Sequence, residues 1–436
     1  MTRAFAVFLV CLIGGCLGTA VNERDPAAAP PPWNFECSSA TTQMLDGTCV
    51  RTLHALTQGD GRQGESEVAT HPTDPATLMV TWQTIPAGYA VQIRVAVTSD
   101  GGGTWKTSQL AYDPAGLKGV LPLLTYRSDP VAAIAPDGTL YVAFMGDTHR
   151  PGGVPPVAFW ITVAQSSDSG HTWTYSQLGR EAGSADYEDI AVAPDTGDVY
   201  VVTNTVSSRV GRGVSEILLY RSQTRGATWG PAMVVSPASE GTYTFPRVAA
   251  GPGGLVVVGA QREPSGQRGA GVAISTDGGI TFQPWRDVTS GPSGTMNPIV
   301  STIEDEVVID VVAQAGDAIQ VYRSRDLGKS FQETTLWIPR ADAPPPAVFA
   351  AGRGGLTASF VLWGHTPSRH AGTIATWNGS AVHEVPIFQA VGVDGEWRSG
   401  DDYHGIDVAA DGSVWASWSD RRFPPSIQVV HLVARG

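Results

Sequence analysis

Polar side chains that could carry acid–base chemistry recur at the start of short apolar runs, about fifty to sixty residues apart. They are Glu67, Asp129, Glu188, Asp189, Arg247, Asn297, Tyr403 and His404. Carboxyl, imidazole and phenol groups can transfer protons in a reaction, and a guanidinium can bind an anionic sugar through paired hydrogen bonds. If the fold brings these positions together, the sequence predicts one site for catalysis or ligand binding.

A turn pattern, Ser/Thr-x-Asp-x-Gly-x-Thr/Ser-Trp/Phe or a close variant, occurs five times. The copies are Ser99–Trp105, Ser167–Trp173, Ser222–Trp229, Ser275–Phe282 and Ser324–Phe331. The aspartates are Asp100, Asp168, Asp277 and Asp326, and Thr224 stands in that place in the third copy. A carboxylate there can accept hydrogen bonds from the backbone of its own turn, and glycine can take positive φ. Five copies in phase predict a repeat architecture and a structural role for the aspartates.

These turns resemble the Asp-box, or BNR repeat, of sialidases and related β-propellers. Short β-branched runs and turn residues dominate the rest of the chain, which predicts an all-β protein. Inner strands begin near Glu67, Asp129, Glu188, Arg247, Asn297, Ala347 and His404, so we count seven blades. The alternative is a propeller of six blades, the number in true sialidases. The last unit has no fourth strand, and we expect the run Val50 to Leu56 to complete it and close the ring.

The resemblance implies that the inner strands begin around a central funnel, opposite the Asp-boxes. It therefore places the catalytic candidates Glu188, Asp129, Arg247, Tyr403 and His404 at one mouth. Loops after the second strands add Arg262, Asp420 and Arg421, which with Glu67 and Asn297 are the candidates for ligand binding.

The sialidase signature is incomplete, because the first inner strand reads Ser66-Glu67-Val68-Ala69, with a carboxylate where the family has an arginine. Glu67 would repel the carboxylate of a sialic acid. The last repeat resembles exported seven-repeat Asp-box proteins, in Gly400 to Gly405 and Trp418 to Arg422.

Three functions remain open for this chain. It is expected to recognise glycans at the funnel without turnover, or to bind another exported protein there. Alternatively it is a carbohydrate-active enzyme, either a glycosidase using Glu188 and Asp129 or a polysaccharide lyase using His404 and Tyr403.

The N-terminal residues have the pattern of an export signal. An apolar run from Ala4 to Ile13 follows Arg3 and leads into Leu12-Ile13-Gly14-Gly15-Cys16, which resembles a lipobox. We predict a signal at residues 1–16, with Cys16 lipidated, a tether at 17–36 and one propeller at 37–436. The alternative is secretion after cleavage behind Ala20. Cys37 and Cys49 are then the remaining cysteines, and an even number of cysteines in an exported protein predicts a disulfide between them.

Composition excludes several other classes. The net charge of −13 and the lack of a basic run argue against nucleic-acid binding and against polybasic attachment to a membrane. No nucleophile elbow, zinc-protease motif or phosphate loop is present in the sequence. Asp195 to Asp198 and Asp401-Asp402 could bind Ca²⁺, but turns explain the first equally well. We expect a monomer with no cofactor and no metal, attached to a membrane only by its lipid.

Overall fold

A computed structural model describes residues 42–45, 48–53, 56, 62–85, 91–110, 127–147, 159–179, 184–206, 215–236, 242–263, 269–289, 293–337, 347–366, 369–391, 405–420 and 426–434. The predicted signal, the tether, Cys16, Cys37, Tyr403, His404 and Arg421 lie outside these residues. Of Cys49 and Asp420 only the strand position is described.

The described residues form seven small antiparallel sheets, each the blade of a β-propeller. Two strands precede the first complete blade, β1 (Thr42–Leu45) and β2 (Thr48–Leu53). Blade 1 contains β3 (Arg62–Thr70), β4 (Leu78–Ile85), β5 (Gln92–Thr98) and β6 (Lys106–Gln109). Blade 2 contains β7 (Arg127–Ile134), β8 (Leu140–Asp147), β9 (Phe159–Ser166) and β10 (Thr174–Leu178). Blade 3 contains β11 (Ser184–Val192), β12 (Val199–Val206), β13 (Ile217–Ser222) and β14 (Met233–Val234).

The remaining blades repeat this order. Blade 4 contains β15 (Thr242–Ala250), β16 (Val256–Glu263), β17 (Gly269–Ser275) and β18 (Arg286–Asp287), with a short 3-10 helix at Pro252–Gly254. Blade 5 contains β19 (Ser293–Ile303), β20 (Glu306–Ala315), β21 (Ala318–Ser324) and β22 (Gln332–Trp337). Blade 6 contains β23 (Ala347–Arg353), β24 (Leu356–Thr366), β25 (Arg369–Trp377) and β26 (Val382–Val391). Blade 7 contains β27 (Gly405–Val408), β28 (Val414–Asp420) and β29 (Ser426–Ala434).

The ring closes through the N-terminal strands. The sheet order in blade 7 is β27-β28-β29-β2-β1, so β2 supplies the missing fourth strand. It pairs antiparallel with β29 from Thr48 opposite Ala434 to Leu53 opposite Val429. This confirms the prediction of seven blades closed by an N-terminal strand, and the six-bladed alternative is wrong. The strand β1, which adds a fifth member to the sheet, was not predicted.

The hydrophobic core lies between neighbouring blades, since each blade buries both of its faces. Seven clusters of buried side chains each join two adjacent blades, and one of them joins blade 7 to blade 1 through Trp415 and Trp82. The aromatic residue that follows each repeated turn packs on one of these clusters, as Trp173 does between blades 1 and 2. The blades therefore depend on their neighbours for burial of apolar surface.

The repeated turns have the hydrogen bonds predicted from the sequence. In the second copy, the Asp168 carboxylate accepts bonds from the Thr172 backbone N–H at 2.8 Å and the Thr172 hydroxyl at 2.6 Å. Gly328 in the fifth copy has φ +82°, and a Cβ there would lie 2.0 Å from Ile274 Cδ1, so another residue would be strained and would displace that side chain. In the antiparallel blades these turns lie at the end opposite to the start of the inner strands. Within the described residues, no helix has the length and hydrophobicity needed to cross a membrane.

Candidate functional site

The innermost strands of blades 1 to 4 carry the same backbone irregularity near their starts. The pairing register with the second strand shifts by one residue in each of them. A non-glycine residue with φ between 50° and 58° lies at each shift, namely Glu65, Asp129, Tyr187 and Phe245. Such bulges are costly for residues with a Cβ and often re-aim the side chains that follow. The bulges therefore determine which side chains of the inner strands face the propeller axis.

A channel of about 590 Å³ runs along this axis between the seven inner strands. Small apolar side chains form much of its wall, including Ala133, Ala191 and Ala350. Polar side chains line the end at which the inner strands begin, which we call the mouth. In blades 1, 3, 4 and 5 the first described residue to line the channel is Glu67, Asp189, Arg247 or Asn297, respectively. The volume is within the range of small-molecule sites in proteins.

Arg247 is a positively charged side chain at the mouth. Its guanidinium lies 3.8 Å from Asp189 in the neighbouring blade and 5.9 Å from the centre of the Phe349 ring. The other Asp189 oxygen accepts a hydrogen bond of 2.8 Å from the Val248 backbone N–H. Burial raises the pKa of Asp189 above its usual value, and Arg247 and this N–H offset only part of that rise. Two bonding partners thus hold Asp189 in one position beside the channel.

Glu67 is the acid of blade 1 at the mouth, and it is half-buried where it lines the channel. Burial raises the pKa of Glu67 from 4.5 to about 8, the Arg247 charge lowers it, and the nearby Asp189 and Asp407 raise it. At neutral pH Glu67 is therefore a neutral carboxylic acid that can donate a hydrogen bond or a proton. The repulsion of an anionic ligand expected from its sequence position is correspondingly reduced.

Two of the catalytic candidates lie behind the channel wall. Glu188 is fully buried beside the Met145 backbone of blade 2, and neither carboxyl oxygen makes a hydrogen bond of good geometry. Burial, followed by the Asp129 charge, raises its pKa well above the usual value. Asp129 donates its backbone N–H to the Glu65 carboxyl at 2.9 Å, and burial raises its pKa as well. Asp129 and Glu188 thus form a buried pair of acids between blades 2 and 3.

Arg262 and Asp420 are the remaining candidates whose position is described. Arg262 pairs with Asp287 on the outermost strand of blade 4, with a separation of 3.0 Å. Asp420 is the last residue of β28, at the end where the inner strands begin. Tyr403, His404 and Arg421 lie outside the described residues, so their proximity to the channel stays a prediction.

Sequence reasoning missed a second polar group in the channel, toward the end with the repeated turns. Asp407 accepts hydrogen bonds from the Thr70 backbone N–H at 2.7 Å and the Thr70 hydroxyl at 2.8 Å. Arg353 donates to the carbonyl oxygens of Val408 and Pro72 at 2.8 and 2.9 Å. These contacts join blades 6, 7 and 1, and they identify Asp407 and Arg353 as structural. The sequence offered no signal for them because both occur late in their strands.

The described residues contain no group of three or more histidine, cysteine or acidic side chains that is spaced to hold a metal ion. In the turn at Asp195 to Asp198, considered above for Ca²⁺, both acids make hydrogen bonds to protein groups. Asp195 accepts the Gly253 backbone N–H at 2.7 Å, and Asp198 binds Arg221 at 2.6 Å.

No family model and no curated protein matches this sequence. Among solved structures, the chain is similar to a polysaccharide lyase, an ulvan lyase bound to -[GlcA(1-4)Rha3S]-, with a TM-score of 0.52 and 10% identity over 86% of this chain and 95% of that one. It is also similar to the Hadza microbial sialidase, with a TM-score of 0.48 and 14% identity over 89% and 94% of the two chains. A protein of unknown function from Dyadobacter fermentans gives 0.49 and 15% identity over 80% and 100%. The likeness to the lyase is one of fold alone.

Proposed function

We propose that this propeller binds a glycan at the mouth of its central channel. The observation that carries the proposal is the convergence of Glu67, Asp189, Arg247 and Asn297, from four different blades, on one solvent-accessible cavity. Together they offer a neutral acid, an ion pair and an amide, which can donate to and accept from sugar hydroxyls. The Phe349 ring beside Arg247 adds an apolar surface of the kind that lines small-molecule sites.

The likeness to an ulvan lyase supports this choice of ligand class, because that protein binds a saccharide on the same general fold. A fold hosts many functions, so the argument depends on the side chains of the mouth. The competing role, recognition of another exported protein, would use the loops around the mouth.

Export and lipidation at Cys16 are part of the same proposal, since a glycan-binding module of this type would act outside the cytoplasm. Mass spectrometry of the mature N-terminus tests this part. A diacylglycerol on Cys16 is expected, whereas a free N-terminus at Val21 would contradict lipidation.

Glycan binding can be tested by titrating the mature protein with neutral, aminated, sialylated and uronic-acid oligosaccharides in a calorimeter. We expect one class to bind, and Arg247→Ala and Asn297→Ala to weaken it about tenfold each, the loss of roughly one good hydrogen bond. Arg325→Ala is the matched control, because Arg325 pairs with Glu306 at the end of the propeller with the repeated turns. Binding that is unchanged in the mouth variants, or absent for every sugar, would contradict the proposal.

A further inference from the structure

We propose that Glu67 and Asp189 are the proton donor and the base of a glycoside-hydrolysing site that acts on neutral sugars. This inference rests on the proposed function, because it needs a glycan at the mouth. It differs from the pair suggested by the sequence, Glu188 and Asp129.

The first argument is position. Glu67 from blade 1 and Asp189 from blade 3 both line the channel, and Arg247 from blade 4 interacts electrostatically with each. Asp189 also raises the pKa of Glu67, so the two carboxyl groups are close enough to interact electrostatically. Glu188 has no solvent-exposed surface and does not line the channel. A buried acid of this kind cannot reach a substrate in the channel.

The second argument is that the two carboxyl groups have different environments. Burial raises the pKa of Asp189, but the Arg247 cation at 3.8 Å and the Val248 backbone N–H at 2.8 Å offset part of that rise, because both favour the ionised form. Glu67 receives a weaker contribution from its own Val68 backbone N–H, at 3.3 Å, and experiences Asp189 and Asp407 as repelling charges. Burial is the main cause that raises the pKa of Glu67 to about 8, and these two charges add to it. Two acids whose environments separate their pKa values can serve as donor and acceptor at the same pH.

The reaction requires only water as co-reactant. Glu67 gives its proton to the glycosidic oxygen as the bond from that oxygen to the anomeric carbon breaks. A water molecule forms the new bond to the anomeric carbon and loses a proton to Asp189. The products are a hemiacetal and an alcohol, and exchange with solvent returns the proton from Asp189 to Glu67. This is a single displacement with inversion at the anomeric carbon.

The charge of the mouth identifies the substrate class. Arg247 forms an ion pair with Asp189 at 3.8 Å, so its positive charge is already compensated by that carboxylate. Arg353, the other arginine among the described lining residues, donates to backbone carbonyl groups. A sialic or uronic acid would have to compete with Asp189 for Arg247. A neutral glycoside needs no such exchange.

The test is hydrolysis of neutral oligosaccharides and of aryl glycosides by the mature protein, with product anomers followed by NMR. We expect inversion and an activity that falls as the pH rises above about 8, where Glu67 loses its proton. Glu67→Gln should lose 10²–10⁴-fold on natural glycosides but far less on aryl glycosides whose leaving group needs no proton. Asp189→Ala should lose activity by a similar factor and recover part of that activity when azide is added, because azide replaces the activated water.

Glu188→Gln is the comparison variant and should retain most activity. Thermal melting of each variant separates loss of chemistry from loss of folding. Glycan binding without any turnover would overturn this inference and leave the proposed function intact, whereas absence of binding would remove both. Retention of anomeric configuration, or equal losses on natural and aryl glycosides in Glu67→Gln, would overturn the assigned roles.

Discussion

At the scale of single residues, the unusual feature of this protein is the number of acids that it buries near the start of its inner strands. Glu65, Asp129 and Glu188 are each less than a tenth exposed, and the half-buried Glu67 and Asp189 line the channel. Burial of an ionised carboxylate without a partner is costly, so such groups tend to hold a proton. The buried acids Asp129 and Glu188 have raised pKa values, so the stability of the protein should depend on pH.

Glu188→Gln tests this dependence. The folded protein raises the pKa of Glu188 above the usual 4.5. The stabilising contribution of the protonated form is complete below about pH 4.5 and is lost as the pH rises toward the folded value. The variant cannot ionise, so relative to the wild type it should gain stability with increasing pH, by at most about 1.4 kcal/mol per pH unit. Urea unfolding at pH 5 and pH 8 measures the difference.

The control for this experiment is Glu304→Gln, which alters an exposed side chain at the turn between β19 and β20. Its free energy of unfolding should follow that of the wild type at both pH values. A Glu188→Gln variant that behaves in the same way would show that Glu188 does not carry the pH dependence.

At the scale of elements, the repeated turns hold the third and fourth strands of the blades together by local hydrogen bonds. The carboxylates of Asp100 and Asp326 each accept a backbone N–H and hydroxyl groups on both sides, which lowers their pKa to about 2. In the third copy, the Thr224 hydroxyl accepts the Thr228 backbone N–H at 2.8 Å in place of a carboxylate. A hydroxyl accepts with less charge, so this turn has the weaker hydrogen bonds.

Two substitutions in these turns should act in opposite directions. Asp168→Ala removes four hydrogen bonds accepted by one side chain and should lower the melting temperature by a few degrees at pH 7. Thr224→Asp supplies the missing carboxylate and should raise the melting temperature. Differential scanning calorimetry of both variants measures the shifts.

The pH dependence of this pair follows from the lowered pKa of Asp168. The contribution of the carboxylate is present above its unfolded pKa near 3.8 and is lost as the pH falls through the folded value. The difference between Asp168→Ala and the wild type should therefore shrink below about pH 4. A constant difference down to pH 2 would show that the carboxylate charge is not the cause.

At the scale of the whole molecule, closure of the ring determines stability, because each of the seven core clusters is shared by two blades. Blade 7 contains strands from both ends of the described chain. The cluster between blades 7 and 1, with Trp82 and Trp415, forms only when the ring is closed. Closure also removes the exposed edge that an incomplete blade would leave.

Val50→Pro tests the closure. Val50 pairs with Leu432 on one side and Gln43 on the other, and proline removes a backbone donor in the middle of this ladder. We expect a loss of about 1–3 kcal/mol in the free energy of unfolding, from the unpaired backbone acceptor, in one cooperative transition for the entire propeller. Val50→Thr keeps the donor and is the control. A separate early transition of β1 and β2 alone, with the main transition unchanged, would contradict a global role.

Much of the fold could be predicted from the sequence because its signals are local. Asp168 and the equivalent aspartates of the other turns accept hydrogen bonds from residues within four positions in the sequence. The strands are recognisable as short β-branched runs between turns. The missing strand of the last unit and the spare run near Val50 together predicted the closure. The mouth was predicted less well, since Glu67, Arg247 and Asn297 line the channel whereas Glu188 does not.

The sequence by itself determined the blade count, the turns and the closing strand. The blade count follows from the repeat period, the turns from local hydrogen bonding, and the closing strand from the number of strands in the last unit. Only the tertiary structure decided which of two adjacent acids faces the channel. The register shift at Tyr187 turns Asp189 to the axis and Glu188 into the interface with blade 2. That choice depends on how a neighbouring blade packs, and residues distant in sequence, such as Arg247 for Asp189, then set the charge of each acid.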